Sequence, residues 1–226
     1  MNVFSQAADW LTDSAHWSGQ DSIPLRVIQH LGYTAETVVI AAAIAVPLGL
    51  WIGHTGRFRG LAVSITGAMR ALPTLGVLTL VAIYLGIGMT PAIISLVLLA
   101  IPPQLAGAYA GLESVDRRTI DAARAIGMTE WQILYKVEVP LALPLIIGGF
   151  RSATLQVVAT ATIAAYIGLG GLGRYLIDGL DLSDYPKMLS GSVLVIGLAL
   201  LLDGVFAFLQ KVAVGGRAPV DSAAHI

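Results

Sequence analysis

ESVDRRTIDAARAIGMTEWQILYKVEVPLALP, Glu113 to Pro144, is the one long polar and charge-rich stretch in an otherwise apolar chain. Its punctuation is helical. Thr119 to Ile126 is short and rich in alanine, the residue with the lowest helix cost, and Asp116 or Thr119 can cap its start. Gly127 stops it, because glycine reaches the left-handed conformation that commonly closes a helix. The chain then restarts at once: Thr129 is an N-cap, Gln132 completes a capping box, and Met128 stands opposite Ile133 as a hydrophobic staple. Pro140 lacks a backbone N–H and pushes its predecessor out of the helical region, so the second helix is predicted to end near Val139. The stretch reads as a helix, a turn and a helix set between two membrane spans.

What surrounds it excludes an ordinary soluble domain. Hydrophobic residues make up 56% and charged residues 12% of the chain, and the mean hydropathy is +0.80. A spanning helix needs ~20 mostly apolar residues, so 226 residues hold five or six spans and one domain. The net charge of −1 gives no basic face for nucleic acid. There is no cysteine, hence no disulfide, thiolate chemistry or cysteine-based metal site. His16, His30, His54 and His225 lack ligand spacing to one another, so neither a metal nor a cofactor is expected.

Five apolar runs follow in order. The first is about Thr34 to Ile52, with Pro47 and Gly49 inside it. A basic turn carries Arg57 and Arg59. The second run, Leu61 to Gly88, is too long for one perpendicular span, so its first turns are predicted to lie at the membrane surface. Pro91 to Tyr109, Leu141 to Ile167 and Met188 to Leu209 complete the set. The glycine run Gly168 to Gly173 has no Gly-Lys-Ser or Gly-Lys-Thr after it, and reads as a tight turn rather than a phosphate loop. A wet loop with Asp178, Asp181 and Asp184 is predicted beyond it. The start, residues 1–24, shows no signal-peptide pattern. Phe4, Ala7, Ala8, Trp10 and Leu11 fall at helical spacing there, which leaves an interfacial helix and a flexible tail both open.

Orientation follows from the basic residues. With the N-terminus outside, Arg57, Arg59, Arg117, Arg118, Arg124, Lys136, Lys211 and Arg217 are cytoplasmic, while Arg26, Arg174 and Lys187 lie outside. Arg70 and Arg151 fall in or beside spans. The asymmetry predicts an all-α, multi-pass protein with five spans, N-out and C-in. On this reading residues 25–212 form the membrane domain, 113–140 a cytoplasmic loop and 213–226 a cytoplasmic tail.

The pattern Asp121-Ala122-Ala123, Gly127, Val137, Val139-Pro140 resembles the "EAA" loop of the membrane subunits of ATP-binding-cassette importers. Here Asp stands for Glu, Val for Ile and Val for Leu, all changes that keep charge or apolar character. The resemblance runs from about His30 to Val212 and is nearest to permeases for glycine betaine, carnitine, choline and related osmoprotectants. It implies a type I importer permease fold in the cell membrane. It also implies a separate ATPase subunit, an extracytoplasmic substrate-binding protein, and a second permease subunit, identical or paralogous. The family uses the loop to dock on the ATPase, which singles out Asp121, Ala122, Ala123, Gly127, Val137 and Pro140. Physically, Ala122, Ala123 and Ala125 keep one surface small enough for close approach, a helix-in-groove contact.

Candidate path residues come from proline-broken segments at membrane depth, where freed carbonyls must meet protein or water. These are Pro73 and Thr74, then Pro102, Pro103 and Gln104, with Tyr109 nearby. Kinked packing is the plainer alternative. Charges inside spans mark function or structure: Arg70 and Arg151 read as snorkelling or docking supports, and Asp203 as a structural pair or a substrate contact. No nucleophile with its base and no Walker motif is present, so the chain is not expected to be an enzyme. An intramembrane protease would need paired aspartates or a serine with a histidine at depth, and a gradient-driven transporter an internal repeat over about ten spans. An importer for an amino acid such as methionine or proline is the rival within the class. Few aromatics lie in the spans, chiefly Tyr84, Tyr109, Phe150 and Tyr166, and their spacing makes no cage for a methylated ammonium group.

Overall fold

The computed structural model describes residues 2–215, a chain of helices in which four are long and apolar enough to span a membrane: Ile23–Thr55, Met89–Glu113, Glu130–Ile167 and Tyr185–Gly215. The pair Arg59–Ala71 and Thr74–Leu85, bent by 83° at their junction, is long and apolar enough for a fifth, broken crossing only when the two helices are taken together. We label these helices α1 (Val3–Thr12), α2 (Ile23–Thr55), α3 (Arg59–Ala71), α4 (Thr74–Leu85), α5 (Met89–Glu113), α6 (Arg117–Ala125), α7 (Glu130–Ile133), α8 (Val139–Thr160), α9 (Gly173–Leu182) and α10 (Tyr185–Gly215).

At the centre is α5, held between α2 and α8, with Val38, Ala41, Leu96, Ala100, Ala153 and Val157 in one apolar core. The α5–α8 seam is close because both sides carry glycine: a Cβ on Gly107 would stand 2.7 Å from Gly149 Cα. Small residues let backbones approach where lipid offers no hydrophobic drive for association. By contrast α3 buries only Ala62 and Thr66, and α4 only Leu78.

Several expectations change here. The second apolar run is two helices, because Pro73 cannot donate a helical hydrogen bond and Leu72 before it is extended. At 12 residues, α4 is only ~18 Å long and cannot cross ~30 Å of hydrocarbon alone. Pro102 and Pro103, in contrast, do not break α5, which runs unbroken from Met89 to Glu113. Pro140 does not end its helix either. The chain passes from α7 through a π-helical turn, Leu134–Glu138, into α8, with Pro140 in the first turn of α8. There Val139 N–H bonds Leu134 O, five residues back, so the widened turn takes up the proline. The predicted wet loop is α9, an amphipathic helix whose Asp178 pairs with Arg174 at 2.8 Å and Lys187 at 3.6 Å.

Residues at the start are folded rather than flexible. Asn2 caps α1, Ala7 is buried, and Ser190 Oγ shares its proton between Pro186 O at 2.8 Å and Ala7 O at 3.2 Å where α1 packs on α10. Trp10 stacks on His16 at 4.0 Å and meets Tyr175 edge-on at 5.1 Å. Of the tail, 213–215 continue α10, while 216–226, with Arg217 and His225, lie outside the described residues.

Contacts between helix ends sort the basic residues by end of the bundle. Arg59 pairs with Glu113 at 3.4 Å, and His54 meets Glu130 and Glu138, so the C-terminal ends of α2 and α5 share one end with α6 and α7. At the other end Tyr175 donates to Asp21 O at 2.6 Å, and burial pushes its phenol up to about 12, so it stays a donor. Gly171 N–H there donates to Gln29 Oε1 at 2.9 Å, which seats the glycine-rich turn on α2.

Candidate functional site

The charge-rich segment forms the helix, turn and helix that its sequence predicts. Asp116 caps α6 through Arg118 N–H at 2.9 Å. Gly127 has φ +85°, and the bonds Gly127 N–H to Arg124 O at 2.9 Å and Met128 N–H to Ala123 O at 3.1 Å make a Schellman closure. Thr129 and Gln132 form both arms of the capping box. Between the two helices lies a small core of Val115, Ile120, Ala123 and Ile133, with Met128 and Val137 packed on it.

That core corrects the reading of the alanine face. Ala123 is 6% exposed and belongs to the element's interior, so it sets the spacing of α6 on α7 and presents nothing to a partner. The outward surface carries Asp121, Ala122, Ala125 and Ile126. Ile126, 80% exposed, was not predicted as a surface residue. Its signal was present, since it precedes the stop glycine while the staple is already supplied by Met128 and Ile133. Arg124 closes the outside, donating to both carboxylate oxygens of Glu130 at 2.8 and 3.1 Å, and reaching Asp121 at 3.4 Å.

The tie between this element and the membrane helices was also missed. His54, in the last turn of α2, pairs through Nδ1 with Glu138, whose side chain is 3% exposed, and through Nε2 with Glu130 at 3.3 Å. A buried charged group of this kind needs such a partner. Local sequence gives no hint of it, because 84 residues separate His54 from Glu138. Pro140 is exposed just beyond, while Val137 is half-buried.

The path candidates separate. Pro73 is exposed at the bend, and Thr74 lines a small crevice with Leu72, Ser95, Leu98 and Leu99 of α5. Pro102, Pro103 and Gln104 are buried between helices, where Gln104 Nε2 donates to Val38 O of α2 at 3.2 Å. Tyr109 packs by Ala45, Ile52 and Leu105. Asp203 is paired: Arg151 donates to both of its oxygens at 2.6 and 2.7 Å and to Gln210 Oε1 at 3.2 Å. Arg151 therefore does not snorkel. Arg70 is exposed in the last turn of α3. No group of three or more metal-ligating side chains occurs among the described residues.

The sequence profile of the binding-protein-dependent transport system inner membrane component matches residues 45–214. The chain belongs to this family. It is thus a multi-pass membrane permease component of ATP-binding-cassette importers. This permease is 34% identical over 182 residues to the carnitine transport permease protein OpuCB of Listeria monocytogenes, covering 80% of this chain and 84% of that one. It is 34% identical over 183 residues to the glycine betaine/carnitine/choline permease OpuCB of Bacillus subtilis, with 81% and 84% covered. The osmoprotectant import permease OsmW of Salmonella typhimurium is 36% identical over 192 residues, with 81% and 88% covered. The fold is that of a chain in the inward-facing MetNI methionine transporter, with TM-score 0.72, 22% identity, and coverage of 82% and 93%.

Proposed function

We propose that this permease forms, with a second permease subunit, the translocation path for a small osmoprotectant bearing a quaternary ammonium group, such as glycine betaine, choline or carnitine. A separate ATPase drives it and an extracytoplasmic binding protein supplies the cargo. The observation that carries the substrate class is the agreement of relatives named for carnitine, choline or osmoprotectant transport across four-fifths of the chain. The likeness to a methionine transporter is one of fold and supports no amino-acid cargo.

The physics constrains how such a cargo is held. A methylated ammonium donates no hydrogen bond and is attracted to aromatic faces. Tyr84 is 81% and Tyr166 56% exposed in the single chain, and neither they nor Tyr109 and Phe150 stack into a cage. Contacts along the path are therefore weak and transient, which suits a route that must release what it carries, and tight recognition falls to the binding protein. Pro73, Thr74 and Tyr109 remain the path residues of this proposal. Gln104, Pro102 and Pro103 support it from behind by holding α5 to α2.

The ATPase docks on Asp121, Ala122, Ala125 and Ile126, and Gly127, Val137 and Pro140 keep that surface in place. Its movement reaches α2 through His54 and Glu138. The N-terminus is outside and the docking element cytoplasmic, in keeping with the grouping of Arg57, Arg59, Arg117, Arg118, Arg124, Lys136 and Lys211 at one end.

Uptake by the complete transporter in a strain lacking other osmoprotectant importers tests the reading: glycine betaine, choline or carnitine accumulates. Accumulation of an ordinary amino acid, uncompeted by excess glycine betaine, overturns the substrate and leaves the importer standing. Gly127→Val, which strains a left-handed turn, abolishes uptake while the chain still inserts and expresses; wild-type uptake would remove the docking role.

A further inference from the structure

Between α2, α3 and α5 lies a groove of about 480 Å³ lined only by apolar side chains, with Ile44, Leu48, Trp51, Phe58, Leu61 and Ile65 on its walls and Ile101 and Leu105 from α5. Its α2 wall runs from Ile52 back to Ile44, ~12 Å along a spanning helix. It begins at the basic end of the bundle, where the turn Gly56 to Arg59 joins α2 to α3. Phe58, at the mouth, is held in the left-handed region at φ 61° and stacks on Trp51 with centroids 5.6 Å apart. Arg57 and Arg59 flank Phe58 in the chain, which places their backbone at the Phe58 end of the groove. Arg57 is exposed and makes no ion pair among the described residues, and Arg59, 66% exposed, reaches Glu113 only at 3.4 Å.

An occupant must be apolar along its length, lie parallel to a membrane helix and end in negative charge where the groove opens. We propose that one acyl chain of an anionic glycerophospholipid seats in this groove, with its phosphate held by Arg57 and Arg59. Arg57 contributes most, since Glu113 partly neutralises its neighbour. The site is independent of the cargo and lies outside the docking element, in the leaflet next to it.

The chain has no cysteine, so Ile44→Cys places a single bimane fluorophore at the deep end of the groove. The full chain, assembled with cysteine-free partner subunits, is put into nanodiscs of unlabelled phosphatidylcholine. These are doped with phosphatidylglycerol or phosphatidylcholine brominated on the acyl chains. Brominated phosphatidylglycerol should quench at a mole fraction about fivefold lower per contributing arginine, with the preference shrinking in high salt. Arg57→Gln, which leaves Arg59 and Glu113 in place, should bring the two lipids close together. Equal quenching by both in the wild type would show ordinary boundary lipid, and absence of quenching by either would show that another protein segment covers the groove; each overturns the proposal.

Discussion

Two proline-bearing segments of this permease behave in opposite ways. In α5 the pair Pro102 and Pro103 sits in mid-helix and the helix runs on, whereas the single Pro73 separates α3 from α4 by an 83° bend. Proline chemistry is the same in both places: a missing donor, and a ring that crowds the carbonyl four residues back. The surroundings differ. Pro102 and Pro103 are buried, and α2 and α8 press on α5 from both sides through Gly49, Gly53, Gly107 and Gly149. Around Pro73 the side chains are exposed, and α4 has only α5 along most of its length. Helix α5 keeps its course past its prolines where α2 and α8 hold it from two sides, while the α3–α4 pair turns at Pro73 with α5 on one side.

The largest effect that separates the two regions is steric. A side chain at Gly149 meets Pro103 O at 2.7 Å, so Gly149→Val should cost at least about 1–3 kcal/mol and lower the melting temperature of the detergent-solubilised protein sharply. Gly67 on α3 has open space beside it, and Gly67→Val should change stability by less than about 0.5 kcal/mol. Similar melting shifts for the two would remove the distinction between covered and uncovered helices.

Next in size is the bend itself. Pro73→Ala restores a donor and should let α3 and α4 realign, moving spin labels at Val63 and Ile83 from ~22 Å to ~30 Å apart in double electron–electron resonance. Pro103→Ala should leave label distances along α5 unchanged. A shift in α5 with none across the bend would invert the comparison.

A smaller change sharpens it. Gln104→Met keeps the volume at the α2–α5 contact and loses the hydrogen bond to Val38 O, but it also removes the buried, unpartnered Oε1, so the expected loss in chemical denaturation is below about 1 kcal/mol. No measurable loss would mean that glycine and alanine packing alone holds α5 in place.

Legibility in the sequence followed the range of the interaction. The stop at Gly127, the capping box of Thr129 and Gln132 and the cap at Asp116 join residues within a few positions, and each was readable from the letters. The inward turn of Ala123 is of the same short range, since it stands three residues after Ile120 on the one apolar face of α6, but its small side chain suits a docking surface as well as a core. The clamp of His54 on Glu138 and the pairing of Arg151 with Asp203 join residues 84 and 52 positions apart. Only packing decides which helices meet there.

By itself, the sequence determined that this is a multi-pass helical membrane protein with one folded polar element, because hydropathy and capping act over windows of one to five turns. The tertiary structure alone decided which prolines bend the chain and which charges find each other. It also decided that α7 continues through a π turn into α8. Each of these turns on whether a freed carbonyl or a buried charge has a partner on another helix, and no local window contains that partner.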